Sequence, residues 1–166
     1  MKKFACFALM ATLGLAGVEA FAVDSCTKIT ATGHPAYPAI AFKDGNKIDG
    51  AAPELVTAIA EKLKVPLESK YTGSWEAAQA ATREGEADLI FGIYYNDARA
   101  GYLDFVQPAF MYDDVAVFVA KGKEFPFKDK QDLIGKKGVT NKGESYGNEF
   151  DAFMKEKLDV TRADGI

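Results

Sequence analysis

Cysteine, histidine and tryptophan are scarce in this chain. The 166 residues contain two cysteines, one histidine and one tryptophan. Because Cys6 lies in the apolar N-terminal segment, Cys26 has no partner left within the chain, which excludes a framework of internal disulfides. The histidine, His34, has no metal-ligating neighbours in the sequence, so we expect neither a metal nor another cofactor.

A long apolar run occurs only at the N-terminus, where it predicts a secretory signal peptide over residues 1–22. Lys2 and Lys3 precede the apolar residues 4–18, and the Ala-Phe-Ala sequence of residues 20–22 fits the rule for signal cleavage. The run is too short to span a bilayer, which disfavours the alternative of a retained membrane anchor. We therefore expect cleavage near Ala22 and export to the periplasm.

The chain is acidic, and its charges form no long block of one sign. Loss of Lys2, Lys3 and Glu19 with the signal peptide would reduce 20 basic and 24 acidic side chains to 18 and 23, a net charge of −5. This balance argues against nucleic acid and against an anionic membrane surface as partners.

Strands alternate with helices along the first part of the chain. Apolar runs predict strands over residues 28–32, 39–42, 67–71 and 87–91, with a hairpin turn over residues 43–47. This alternation predicts an α/β fold with a mostly parallel sheet and helices on its faces.

Two helices connect these strands. The first begins at Pro53, and its apolar face carries Leu55, Ile59 and Leu63 at four-residue spacing. Ser74 caps the second helix, because a serine side chain accepts an N–H group of the first turn.

The last fifty residues predict the beginning of a second βαβ unit. An apolar strand over residues 115–120 is followed by a polar stretch, a strand over residues 137–140 and a helix that opens at residues 143–145. One more strand begins near residue 159. Because this unit would leave a sheet with an unpaired edge, we expect the sequence to be a fragment of a longer protein.

Ligands of parallel sheets bind beyond the carboxyl ends of the strands, where this chain places Tyr37, Trp75 and Arg99. Arg99 follows a strand and lies in a short helix that Asn96 or Asp97 caps. A guanidinium in this place fits one carboxylate with two parallel bonds. The alternative is a solvated surface arginine paired with a nearby aspartate.

An ordered set of short motifs resembles a known family, the extracytoplasmic solute-binding proteins of amino-acid type, family 3 of the bacterial ABC-importer receptors. The motifs are Ala36-Tyr37-Pro38, Asp44-Gly45 with Gly50, residues 58–63, Ser74-Trp75, residues 85–88, Arg99 before residues 102–105 and Pro108, residues 132–139, and residues 143–145. The resemblance extends from Lys28 to the end of the chain.

The resemblance implies a type II periplasmic-binding-protein-like α/β fold. Two lobes with mostly parallel sheets are joined by hinge strands and close on a ligand like a Venus flytrap. Residues 23–114 would form lobe 1, residues 115–121 the hinge strand region, and residues 122–166 a partial lobe 2 that is incomplete in this chain.

The resemblance also implies most of the binding site. Arg99 and Ser145 would bind the α-carboxylate of the ligand, with Ser145 at a helix N-terminus where free N–H groups favour an anion. Tyr37 and Trp75 would sandwich the ligand side chain. The carbonyl of Gly92 would accept a hydrogen bond from the ligand ammonium.

Tyr94 and His34 complete the predicted ligand-binding residues. Tyr94 replaces a small hydroxyl residue and would narrow the pocket, and His34 replaces an acidic residue, which disfavours a cationic amino acid. The acidic residue that holds the ammonium would lie beyond Ile166. The alternatives are a helix cap for Ser145, core packing for Trp75 and a backbone-bonded loop histidine for His34.

The function implied by the resemblance is that of a monomeric binding protein, which delivers a small carboxylate-bearing solute to the membrane permease of an ABC importer. An enzyme on the same fold, of dehydratase or peptidoglycan-cleaving type, is one alternative, with Glu54 and Glu144 as the candidate acid–base groups. A sensory module of a larger receptor is the other. No nucleophile–base pair points to catalysis, so the chain is interpreted as a non-enzyme.

Overall fold

The computed structural model describes residues 26–164, so the predicted signal peptide and its cleavage site lie outside the described residues. The strands are β1 (Ile29–Gly33), β2 (Ala36–Tyr37), β3 (Ala41–Asp44), β4 (Lys47–Asp49), β5 (Leu67–Ser69), β6 (Leu89–Phe91), β7 (Lys137–Asn141) and β8 (Asp159–Ala163). The α-helices are α1 (Ala51–Leu63), α2 (Trp75–Arg83), α3 (Asp97–Ala100) and α4 (Asn148–Lys157), and Lys130–Leu133 forms a 3-10 helix.

A parallel sheet in the order β5-β1-β6 lies at the centre of the first part of the fold. One face of this region encloses a cluster of fully buried apolar side chains, which are Ala31, Ala41, Ile48, Ala52 and Phe91. Because all three strands run in the same direction, the loops after them lie at one edge of the sheet. This edge carries the candidate site.

An antiparallel sheet in the order β2-β3-β4 lies beside the parallel sheet. The predicted hairpin turn is confirmed, because β3 and β4 pair from Asp44–Lys47 onward and Gly45 adopts a positive φ of 60° between them. The side chain of Ser69, at the end of β5, binds both the N–H and the carbonyl of Ile48 and so links the two sheets.

The buried face of α1 differs from the predicted one. Leu55, Ile59 and Leu63 are 42%, 48% and 65% exposed, whereas Ala52 and Ala60 are buried. With the half-buried Val56 between them, Ala52 and Ala60 continue the same four-residue spacing as the exposed set, so periodicity alone does not separate the two faces. The small alanines face the strands because they allow the helix to approach closely, and the larger side chains remain outside.

The beginning of α1 is held against the loop before β3. The N–H groups of Ala51 and Ala52 donate to the carbonyls of Ala39 and Ile40 at 3.0 Å each. This approach requires Gly50, which has a φ of 124° and whose missing Cβ would lie 2.7 Å from the Ile40 carbonyl oxygen.

The helices that flank the site begin as predicted. Ser74 caps α2 by accepting a hydrogen bond from the N–H of Ala77 at 3.2 Å. Of the two predicted caps of α3, Asn96 is the one observed, and its side-chain oxygen accepts from the N–H of Arg99 at 2.7 Å.

The segment between α3 and the 3-10 helix contains no strand, so the strand predicted over residues 115–120 was wrong. Val115, Phe118 and Val119 are exposed. An isolated strand leaves its backbone groups unpaired, and no part of residues 26–164 pairs with this one. The lobe and hinge boundaries inferred from the sequence remain predictions.

The last part of the described chain contains a parallel pair of strands, β7 and β8, connected by α4. Met154 is buried, whereas Phe150, Phe153 and Leu158 are half-buried. α4 begins at Asn148 with Gly147 as its N-cap, so the predicted opening at residues 143–145 was wrong by about one turn. Residues 143–147 instead form a loop that reaches the first part of the fold.

Within residues 26–164, no helix combines the length and the apolar character that crossing a bilayer requires.

We expect Gly50→Ala to lower the free energy of unfolding of the intact protein by roughly 2–5 kcal/mol, because the new Cβ adds overlap with two carbonyls to backbone strain. Gly85→Ala is the matched control, since Gly85 has a φ of 78° with open space around it, and we expect a cost of about 1 kcal/mol. Urea denaturation measures both. Equal costs would show that the contact at Gly50 is unimportant.

Candidate functional site

Arg99 lies at the centre of the candidate site and is only 4% exposed. Its Nη1 donates to the Tyr94 carbonyl at 2.8 Å, its Nη2 to the Gly143 carbonyl at 2.9 Å and its Nε to the Gln79 side-chain oxygen at 3.3 Å. The guanidinium also lies 5.6 Å from the ring of Trp75. The alternative of a solvated surface arginine is therefore wrong.

No ion pair in the part of the chain that the structure describes neutralises the charge of Arg99. Within residues 26–164, no carboxylate oxygen lies within salt-bridge distance of its guanidinium. Burial lowers the pKa of Arg99, and electrostatic interactions with Tyr102, Glu144 and Asp151 oppose this shift. A buried cation bound only by neutral acceptors is costly, because buried charges are ordinarily paired.

Ser145 lies beside Arg99 and joins the two parts of the fold. It is 5% exposed and accepts a hydrogen bond from the side-chain amide of Asn96 at 2.8 Å. Its hydroxyl donates to the carboxylate of Asp151 in α4. The alternative of a helix cap for Ser145 was wrong, because Gly147 is the N-cap of α4.

Gly143 packs closely against the beginning of α2. A Cβ at this position would lie 2.9 Å from Nε2 of Gln79, 3.0 Å from Cγ of Glu76 and 3.2 Å from Cδ1 of Trp75. The residue also has a φ of 77°, which favours glycine. Only a residue without a side chain therefore allows this loop to bring its carbonyl to Arg99.

His34 makes a second contact between the two parts of the fold. Its Nδ1 accepts a hydrogen bond from the N–H of Ala36 at 2.9 Å, so Nδ1 carries no proton. The proton therefore lies on Nε2, which donates to the carboxylate of Glu144 at 2.9 Å. The alternative of a backbone-bonded loop histidine is confirmed for Nδ1, and the bond to Glu144 was not predicted.

Trp75 lies between His34 and Arg99 rather than in the main core. Its ring centroid is 4.9 Å from that of His34, and the residue is 6% exposed. Its indole N–H is buried and has no hydrogen-bond partner within the described residues. The indole ring of Trp75 therefore packs between the imidazole of His34 and the guanidinium of Arg99.

Tyr37 and Tyr94 form a separate cluster with Asp113. The hydroxyl of Tyr37 donates to Asp113 at 2.6 Å and lies 3.2 Å from the hydroxyl of Tyr94. Burial, followed by these hydrogen bonds, raises the pKa of Tyr37, and the hydrogen bond from Tyr37 lowers the pKa of Asp113. Gly92, the remaining predicted residue, turns with a φ of 59° and packs against Ile40.

A cavity of about 380 Å³ lies between α2, α3 and α4. Of the seven predicted site residues, Arg99 and Ser145 line this cavity. The other five do not line it, although the ring of Trp75 and the carbonyl of Tyr94 lie against Arg99. These five are Tyr37, Trp75, Tyr94, Gly92 and His34.

Three residues that contact the predicted site residues were not predicted from the sequence. Gln79 binds Nε of Arg99, Asp151 binds Ser145, and Asp113 binds Tyr37. The position of Gln79 carried a usable signal, because it follows Trp75 by four residues on one face of α2. Asp113 and Asp151 are brought to the site by loops and by the second part of the fold.

A family model described as bacterial extracellular solute-binding proteins, family 3, matches residues 29–165. The chain belongs to this family. The resemblance inferred from the sequence motifs is thereby confirmed. Among curated proteins, none is similar enough to count as a match.

Several solved structures share the fold. A mutant of the arginine-bound ArgBP from T. maritima is 20% identical, with a TM-score of 0.60 over 83% of this chain and 64% of that one. A periplasmic binding protein of Salmonella typhimurium with high arginine specificity is 21% identical, with a TM-score of 0.62 over 83% and 60%.

A histidine kinase sensor domain with similarity to periplasmic binding proteins is 25% identical, with a TM-score of 0.61 over 81% of this chain and 58% of that one. The predicted periplasmic-binding-protein-like α/β fold is thereby confirmed. The chain spans 58–64% of the length of these three structures.

We expect Gly143→Ala to displace the loop from α2, because the new Cβ would overlap Gln79 and its neighbours. Trp75 is the only tryptophan of the chain, so its emission maximum reports the displacement and should move to longer wavelength. Gly135→Ala is the control, since Gly135 has a similar φ of 79° with open space. The same emission from both variants would contradict the packing.

We expect Tyr37→Phe to raise the pKa of Asp113 towards its ordinary value of 3.8. Because the folded-state pKa is lowered, this carboxylate stabilises the fold above pH 3.8 and loses that effect as the pH falls through the lowered value. An NMR titration of the Asp113 carboxyl carbon measures the change. Tyr95→Phe, which removes a hydroxyl bonded to Asp97 instead, should leave the titration of Asp113 unchanged.

Proposed function

We propose that this protein binds a small carboxylate-bearing solute, an amino acid or a derivative of one, in the periplasm and delivers it to an ABC importer. The observation that carries the proposal is the buried guanidinium of Arg99, which lacks an ion pair within residues 26–164. A ligand carboxylate would supply the missing negative charge and two parallel hydrogen bonds.

The remaining N–H groups of Arg99 support this assignment. A guanidinium has five N–H donors, and three of them donate to Gln79, Tyr94 and Gly143. One donor on each terminal nitrogen is left, and two such donors suit one carboxylate. Ser145 lies beside them, and its single hydroxyl proton, which is donated to Asp151 in this structure, would turn to the ligand carboxylate.

We assign the ligand side chain to the aromatic residues Tyr37, Trp75 and Tyr94. Flat rings offer a large contact area at a low cost in side-chain entropy. Gly92 would contribute its carbonyl to the ligand ammonium. His34, held by Ala36 and Glu144, would border this region as a neutral side chain and disfavour a cationic ligand.

Known ligands of similar structures agree with an amino acid. The T. maritima protein named above is bound to arginine, and the Salmonella typhimurium protein is specific for arginine. Family membership supports extracytoplasmic action, and we infer from it a monomer that meets a membrane permease.

Catalysis is disfavoured by the hydrogen bonds of the candidate acid–base groups. Both ring nitrogens of His34 are engaged, one of them with Glu144. Glu54 is exposed in the first turn of α1. The bond between Glu144 and His34 has a structural role, since it links the loop over residues 143–147 to the first part of the fold.

A sensory role is the second candidate, and the 25% identical histidine kinase sensor domain favours it. The two roles differ in what a deletion of the gene would abolish. Loss of uptake of the bound solute indicates a transporter component, whereas loss of a transcriptional response with unchanged uptake indicates a sensor.

Isothermal titration of the intact protein against the common amino acids tests the binding function. We expect Arg99→Met to weaken the binding of the tightest ligand by roughly 2–5 kcal/mol, because a ligand carboxylate would lose its charged partner. Lys62→Met removes a positive charge from the exposed side of α1 and should leave affinity unchanged. Unchanged affinity in Arg99→Met would remove Arg99 from the site, and no binding by the wild type would refute the function.

A further inference from the structure

Gln79 is a buried polar side chain that the proposed function does not yet use. It lies in α2, one turn after Trp75, and is 8% exposed. Its neighbours on the buried side of the helix, Ala78 and Ala81, are apolar. An amide among such residues costs free energy unless its donors and acceptor are satisfied.

The amide of Gln79 is satisfied by the site itself. Its oxygen accepts the N–H of Arg99 Nε at 3.3 Å. Its nitrogen donates to the carbonyl of Gly143 at 3.3 Å and to the carbonyl of Trp75, also at 3.3 Å. One side chain therefore contacts the guanidinium and the loop that closes over it.

The Gly143 carbonyl is a shared acceptor. It receives one hydrogen bond from Arg99 at 2.9 Å and another from Gln79 at 3.3 Å. Gln79, Arg99 and Gly143 thus form a closed triangle of hydrogen bonds. Movement of the loop away from α2 would break bonds to both side chains.

The acceptor that Gln79 offers to Arg99 is neutral. A carboxylate at this place would form an ion pair with the guanidinium and compete with any acid group of a ligand. The amide oxygen of Gln79 orients the guanidinium of Arg99 through its Nε–H and leaves the positive charge of Arg99 uncompensated. The two acids whose charges act on Arg99, Glu144 and Asp151, are held by His34 and Ser145.

We propose that Gln79 is a positioning residue that fixes the Arg99 guanidinium for the acid group of the ligand, while its neutral amide leaves that charge available. The proposal rests on the function proposed above. It assigns to Gln79 the selectivity for a free carboxylate over its uncharged amide.

Gln79→Glu tests the proposal with a side chain of nearly the same shape. The probes are L-arginine, L-glutamine and L-glutamate, each compared with its α-carboxamide by isothermal titration on the intact protein. We expect the preference of the wild type for the acid over the amide to fall by about tenfold or more, because the new carboxylate already pairs with Arg99. An unchanged preference would overturn the proposal.

Gln79→Met separates positioning from packing. Methionine fills a similar volume without hydrogen bonds, so a purely structural role would change the affinities for acid and amide by the same factor. We expect weaker binding of the acid with a smaller change for the amide. Equal changes for the two probes would assign Gln79 to packing.

A measurement without ligand distinguishes failure of this proposal from failure of the proposed function. Gln79→Glu removes the two hydrogen bonds that the amide nitrogen donates and adds a charge that pairs with Arg99. We therefore expect the melting temperature to fall less on Gln79→Glu when Arg99 is present than in the Arg99→Met background, since the new pair needs both charges. Absence of this coupling would overturn the assignment of Gln79 to Arg99. If the wild type binds none of the probes, the proposed function fails, and the coupling alone decides whether Gln79 positions the guanidinium.

Discussion

The buried guanidinium of Arg99 is the interaction on which the site depends. It is bound by neutral oxygens from two loops and one helix, at Tyr94, Gly143 and Gln79. These acceptors bind three of the N–H donors of the guanidinium but do not neutralise its charge. The surrounding structure therefore maintains a cation at a free-energy cost, which fits a residue kept for an anionic ligand rather than for stability.

The loop over residues 143–147 joins the two parts of the fold through this cation. Gly143 contacts Arg99, Glu144 contacts His34, and Ser145 contacts Asn96. Three consecutive residues thus accept hydrogen bonds from the same edge of the first sheet through three different groups: a backbone carbonyl, a carboxylate and a hydroxyl. Through these contacts the loop links the first part of the fold to α4 and to the β7–β8 pair.

Much of the fold was predictable from local patterns. The parallel strands, the hairpin turn and the caps at Ser74 and Asn96 follow from apolar runs and from side chains that bind nearby N–H groups. The strand predicted over residues 115–120 failed because strands need partners, and composition does not supply them. The prediction of the buried face of α1 was wrong because the exposed and the buried apolar residues of this helix have the same spacing and differ in size rather than in polarity.

The sequence by itself determined which chemistry is present: one arginine after a strand, aromatic residues in the neighbouring loops, and motifs that identify the family. Only the tertiary structure decided that Arg99 is buried with no ion pair among residues 26–164, that Gln79 and Gly143 hold it, and that Asp113 binds Tyr37. The physical reason is distance along the chain. Capping and turns act within a few residues, whereas burial and charge depend on residues that only folding brings together.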